Sequence, residues 1–138
     1  MYREGNGVQR DYAEVVKWYR HAGEQGYAAA QYNLGFMYYS GQGVTRDYKE
    51  AAKWYRLAAR QGVAAAQYNL GKMYDKGEGV PRDAVQAYSW FDLAASRYLS
   101  SEHEERSRAL RDRDAITSKL KPDQLAEAQK LARIGRPN

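Results

Sequence analysis

A chain of 138 residues with 43% hydrophobic and 28% charged side chains can enclose one core, and its composition excludes a disordered or collagen-like polymer. Cys 0 removes disulfides, thiolate metal sites and a cysteine nucleophile, and His 2 leaves little capacity for soft metals. The net charge of +5 is spread along both halves instead of forming a basic block, which argues against nucleic acid as a partner, and no apolar run is long enough for a spanning helix or a signal peptide. Against this ordinary background the chain holds Tyr 13 and Trp 3 but only Phe 2, at a mean hydropathy of -0.87.

The tyrosines belong to a repeat. Gly5, Gly41 and Gly77 stand 36 residues apart, as do Asp11, Asp47 and Asp83, and Trp18, Trp54 and Trp90. A period of this length signals a solenoid of small supersecondary units. Residues 1–27 form a partial first unit: Met1-Tyr2 aligns with Met37-Tyr38, so nearly all of one helix is missing and the sequence reads as a fragment of a longer array. Asp11 followed by Glu14 predicts the start of this unit's remaining helix. Its residues Val15, Trp18, Tyr19 and Ala22 are then expected to form an open apolar end prone to self-association.

Residues 28–63 and 64–99 are complete units, identical at 20 of 36 aligned positions. In the first of them, residues 28–38 are alanine-rich and lack proline, with Ala30, Leu34, Met37 and Tyr38 at helical spacing, which predicts a helix A. Gly41-Gln42-Gly43-Val44 breaks it, the first glycine supplying a left-handed end and the second a sharp turn, with Val44 plugging the gap between helices. Asp47 with Glu50, repeated as Asp83 with Gln86, has the capping-box pattern and predicts the start of helix B. Ala51, Trp54, Tyr55, Ala58 and Ala59 then mark one buried face, and Gln61-Gly62 ends the unit. Each unit is thus a helical hairpin. Gly35 and Gly71 in mid-helix cost about 1 kcal/mol each relative to alanine. Close approach of Ala51 or Ala58, with Trp54 alongside, is the expected compensation, and the tryptophans are expected to form a ladder through the stack.

The pattern stops at Tyr98, where glycine is expected, and Arg106-Ser107 replace Leu-Gly. Ser101-Glu102-His103-Glu104 predicts a capping box opening a polar helix to about Ser118, and Lys121-Pro122-Asp123 opens another whose apolar face is Leu125, Ala128, Leu131 and Ala132. Residues 100–138 therefore read as a C-terminal capping hairpin that ends the array.

The series Ala30-Gln31-Tyr32-Asn33-Leu34-Gly35-Phe36-Met37-Tyr38, Gly41-Gln42-Gly43-Val44, Asp47, Ala51, Trp54-Tyr55 and Ala58-Ala59 resembles the Sel-one-like repeat (SLR), a relative of the tetratricopeptide repeat (TPR). The resemblance runs from Met1 to about Ala95. It implies an all-α fold, a TPR-like solenoid of stacked antiparallel helix hairpins in a right-handed superhelix. It further implies an adaptor or scaffold, in bacteria often in envelope or host-interaction settings. The compartment stays open between cytoplasmic and, with an export signal upstream, periplasmic or secreted.

No catalytic constellation is expected. Asn6-Gly7-Val8 and its copies lie between predicted helices, not after a strand, so they read as structural turns and not as a phosphate loop. His103 among Glu102, Glu104 and Glu105 reads as a solvated helix face, His21 as a rim residue, and no metal or cofactor is called for. Family members that resemble penicillin-binding enzymes are cysteine-rich, unlike this chain.

A binding face is easier to place. If Leu34 and Tyr38 face the core, then Tyr32, Phe36 and Tyr39 point to another side of helix A, as do Tyr68, Lys72 and Asp75 one unit later. The resemblance makes that side the concave groove. Asn33 and Asn69 are candidates to hydrogen-bond a peptide backbone, although Asn and Tyr here also fit inter-helix bonding. Framework positions repeat while Phe36 becomes Lys72 and Tyr39 becomes Asp75, the variation expected of a recognition surface on a fixed scaffold. The expected function is therefore recognition of a peptide or protein partner. The alternative is a structural or oligomerising segment of a longer array.

Overall fold

The structure is a computed structural model that describes the backbone of residues 6–135 and the side chains of residues 11–135. Among the described residues seven helices follow one another: α1 (Asn6–Glu24), α2 (Ala28–Ser40), α3 (Tyr48–Arg60), α4 (Ala64–Lys76), α5 (Ala84–Arg97), α6 (His103–Thr117) and α7 (Pro122–Ile134). The fold is an all-α solenoid of antiparallel pairs, α2 with α3 and α4 with α5, with α1 packed on α2 and α3 on α4. Both α6 and α7 pack against α5, and mutual contact between these two helices is slight.

The helix ends follow from local chemistry. Gly41 (φ 78) and Gly77 (φ 74) adopt the left-handed conformation, and their N–H groups donate to the carbonyls of Met37 and Met73. Asp47 and Asp83 cap α3 and α5 by accepting from the N–H groups of Glu50 (3.2 Å) and Gln86 (3.1 Å). Only this half of the predicted capping box forms. The N–H of Asp47 donates instead to the Tyr38 carbonyl (2.9 Å), and that of Asp83 to the Tyr74 carbonyl (3.0 Å). The box expected at residues 101–104 does not form: Glu102, not Ser101, precedes α6, and its carboxylate accepts from Leu99 N–H (2.7 Å).

The first unit departs from its copies. Its helix begins at Asn6, so Asn6-Gly7-Val8 lies inside α1 and Asp11 is an internal helical residue, not a cap. A cap needs a non-helical backbone. In the later units that bend is held by a carbonyl of the preceding helix A, whose counterpart here, Tyr2, lies outside the described residues, as do Met1 and Gly5.

The core lies between paired helices. Ala51, Trp54, Tyr55, Ala58 and Ala59 are all buried, as are Leu34, Met37, Tyr38 and their copies Leu70, Met73 and Tyr74. Val44 and Val80 pack against this core from the turns. The mid-helix glycines are explained by aromatic rings, not by the alanines of helix B. A Cβ on Gly35 would stand 2.7 Å from the Tyr55 ring, and one on Gly71 would stand 2.8 Å from the Phe91 ring. Trp54 packs instead on Gly23 of the preceding unit, where a Cβ would meet its ring at 3.0 Å. Of the predicted open end, only Trp18 is mostly exposed (70%), while Val15, Tyr19 and Ala22 are half-buried.

Two joints between units were not anticipated. Gln31 Nε2 donates to the Gly23 carbonyl (3.0 Å), and Gln67 Nε2 makes the equivalent bond to the Ala59 carbonyl (3.0 Å). The second glycine of each turn also has a neighbour beyond its own unit. A Cβ on Gly43 would lie 2.7 Å from the Tyr12 carbonyl oxygen, and one on Gly79 would lie 2.3 Å from that of Tyr48. At the other end, Ala128 and Ala132 of α7 are buried, and Ser89 of α5 donates to the Ala128 carbonyl (3.0 Å).

Candidate partner-binding face

The helix A residues that do not face the core project from α2 and α4 onto one side. Between them lies a cleft of about 150 Å³ lined by Phe36 and Tyr39 from α2, Asn69 and Lys72 from α4, and Tyr55 from α3. The structure thus brings together Phe36, Tyr39, Asn69 and Lys72 of the predicted set. Phe36 is 45% exposed, an unusual position for so apolar a side chain. Lys72 Nζ stands 5.6 Å above the centre of the Tyr68 ring.

Tyr55 was assigned to the buried face of helix B, and it is buried, yet it also forms the floor of this cleft. Sequence spacing places a side chain on a face but does not show that a ring is long enough to reach past the glycine opposite it. Gly35 provides that room. Burial and the nearby Tyr32 hydroxyl push the Tyr55 pKa up, opposed by a hydrogen bond from the Asn69 side chain. Tyr32 lies against Tyr55 with ring centres 5.7 Å apart and is half-buried, as is Asn33.

The remaining predicted residues are engaged by other parts of the chain. Tyr68 was expected on the open side but is only 8% exposed. Its ring lies 5.4 Å from that of Phe91, and its hydroxyl donates to Asp112 of α6. Asp75 pairs with Lys119 at 3.3 Å. In the last unit Asp112 of α6 thus engages the tyrosine whose copy, Tyr32, leans on Tyr55.

Tyr39 ties two units together. Its hydroxyl donates to Glu78 Oε1 (2.7 Å), and its ring packs on that of Tyr48 at 5.0 Å. Burial, followed by the Glu78 hydrogen bond and charge, raises its pKa to about 12, and burial beside Tyr32 and Glu102 raises Tyr98 to about 12. Both phenols therefore bind protons more tightly folded than unfolded, where the value is near 10.0. The stability they confer is complete below pH 10 and disappears as the pH rises from 10 through 12. Urea midpoints measured from pH 9 to 11.5 should fall, and Tyr39→Phe should shallow the fall. An unchanged slope in that variant would mean that Tyr39 titrates as an exposed phenol.

Among the described residues, no helix is long and apolar enough to cross a membrane, and no group of three or more metal-ligating side chains is gathered.

A family model described as Sel1 repeat matches residues 1–27, 28–63 and 64–98. Among solved structures, this chain is similar to c5321, described as a protective antigen present in uropathogenic Escherichia coli strains and displaying an SLR fold. The two are 38% identical with a TM-score of 0.83, over 94% of this chain and 27% of that one. It is also similar to a Sel1 repeat protein from Oxalobacter formigenes, at 41% identity and a TM-score of 0.59, over 60% of this chain and 63% of that one. The chain thus spans about a quarter of the first relative and under two thirds of the second. No curated protein matches it. Three matched repeats, stacked helix pairs and a close structural likeness to an SLR protein agree, and the chain belongs to the Sel1 repeat family of helical, protein-interaction scaffolds.

Proposed function

We propose that this chain binds a peptide segment of a protein partner across the side formed by α2 and α4, the groove side of the solenoid. The observation that supports this is the cleft shared by two successive units, with an exposed Phe36 at its edge and Lys72 opposite. An aromatic anchor beside a hydrogen-bonding amide and a cation is the composition of an interaction hot spot. Phe36, Tyr39 and Lys72 are the primary contacts in this reading. Tyr32, Asn33 and Asn69 border them, and Asn33 and Asn69 offer amide groups to the partner's backbone. Tyr68 and Asp75 act from behind, the first by holding Lys72 over its ring and the second through Lys119.

Peptides selected by this chain from a displayed random library should lose about tenfold or more in affinity with Phe36→Ala. They should keep it with Leu57→Ala, a similarly exposed apolar residue on α3. Equal losses in both variants would move the binding site off this face.

A second reading, end-to-end assembly, is favoured by one observation. Trp18 is 70% exposed where its copies Trp54 and Trp90 are buried. Light scattering on the chain and on Trp18→Lys decides it, since a monomer in both removes assembly through α1.

A further inference from the structure

The charged side chains around the cleft divide into two kinds. Its carboxylates have internal partners: Glu78 accepts from Tyr39, Asp75 pairs with Lys119, and Asp112 accepts from Tyr68. Its cations do not. No carboxylate lies within ion-pair distance of Lys72 or Arg108 among the described residues, and Lys72 rests on an aromatic ring. Around Lys72 a partner therefore meets positive charge that is still unpaired beside negative charge that is already engaged.

The position of these residues in the repeat adds an order. Phe36, Lys72 and Arg108 are each 36 residues apart and fall on α2, α4 and α6 in turn. Phe36 and Lys72 line the same cleft. The Tyr68 hydroxyl feels the Arg108 charge, so Lys72 and Arg108 flank one tyrosine. Arg108 is the more diluted cation, because Glu104 precedes it by one helical turn and lines the same shallow depression.

Resting on the groove reading above, we infer that this face selects an acidic peptide: an apolar side chain on Phe36, a carboxylate on Lys72, and a second on Arg108. Charge complementarity sets the class of partner, and the order of the three helices sets the order of its side chains. A basic or neutral segment leaves both cations without a counter-charge.

The test uses the full chain and a random heptapeptide library displayed on phage. Recovered peptides should be enriched in Asp or Glu on one side of an apolar residue, and their affinity should fall steeply with salt. Lys72→Glu should weaken these peptides about tenfold and, in a fresh selection, turn the preference toward Lys and Arg at that position. Arg108→Glu should produce a smaller loss, confined to peptides with the second acid. Lys72 is only half-buried, and circular dichroism on both variants checks that they fold. Peptides that need Phe36 but show no acidic preference would overturn this inference and leave the groove reading standing. Recovery of no peptide would overturn both.

Discussion

Replacing Trp90 with alanine should destabilise the chain by roughly 3–5 kcal/mol, whereas Trp18→Ala should change its stability by less than about 0.5 kcal/mol. The two tryptophans occupy the same place in the repeat, and only their neighbours differ. Trp90 is fully enclosed on α5, the helix against which α4, α6 and α7 all pack. Deleting its ring removes the transfer energy of a large aromatic group and leaves a cavity that three helices would have to move to fill. A loss of that size is a large share of the about 5–15 kcal/mol that holds an ordinary domain folded. Trp18 has most of its surface in water already. Urea midpoints for the two variants measure the contrast, and similar shifts would mean that α1 is covered as fully as α5.

Gly79→Ala should cost about 2 kcal/mol more than Gly77→Ala, although the two glycines share a turn and nearly the same φ, 75 and 74. Both substitutions place a Cβ in the left-handed region, at about 1–2 kcal/mol each. At Gly77 the new carbon meets Arg82 at an ordinary 3.5 Å. At Gly79 it would stand 2.3 Å from the Tyr48 carbonyl oxygen and 2.5 Å from the carbonyl carbon. Backbone cannot rotate aside as a side chain does, so the turn must lift from the start of α3. Parallel denaturation curves give the difference directly. Equal losses would show that the turn does not press on the preceding unit.

The same comparison shows what could be read from the amino acids. Gly41, Asp47 and Gln61-Gly62 bracket helices because each acts on its own backbone, and those boundaries hold to within two residues. Leu34 and Tyr38 face the core because helical period alone assigns a face. Identifying the neighbour on that face is a different matter. Gly35 was matched to alanines on helix B, but Tyr55 is the residue that fills its notch. Tyr32 and Tyr68 look equivalent at a shift of 36, yet Tyr68 bonds to Asp112 of α6, an acid with no counterpart one unit earlier, where the residue is Lys76. Asp11 looks like Asp47 and is not a cap, since it lies within α1, where the backbone is already helical. For the binding face, four of eight candidates line one cleft; Tyr68 and Asp75 are drawn off by Asp112 and Lys119, Tyr32 leans on Tyr55 of its own unit, and Asn33 is half-buried.

The glutamine joints have a consequence for how such a chain can grow. Gln31 and Gln67 each grip a main-chain oxygen, Gly23 in one case and Ala59 in the other, and every amino acid supplies that atom. The coupling therefore asks for no particular side-chain chemistry, only for a small residue such as Gly23, where a Cβ would stand 3.0 Å from the Trp54 ring. Copying residues 28–63 in tandem would present the same acceptor at each new junction, and the added segment would dock without any adjustment of its predecessor. Sequence drift on the outward positions leaves this linkage untouched, so the length of the array and the surface it displays are free to change independently.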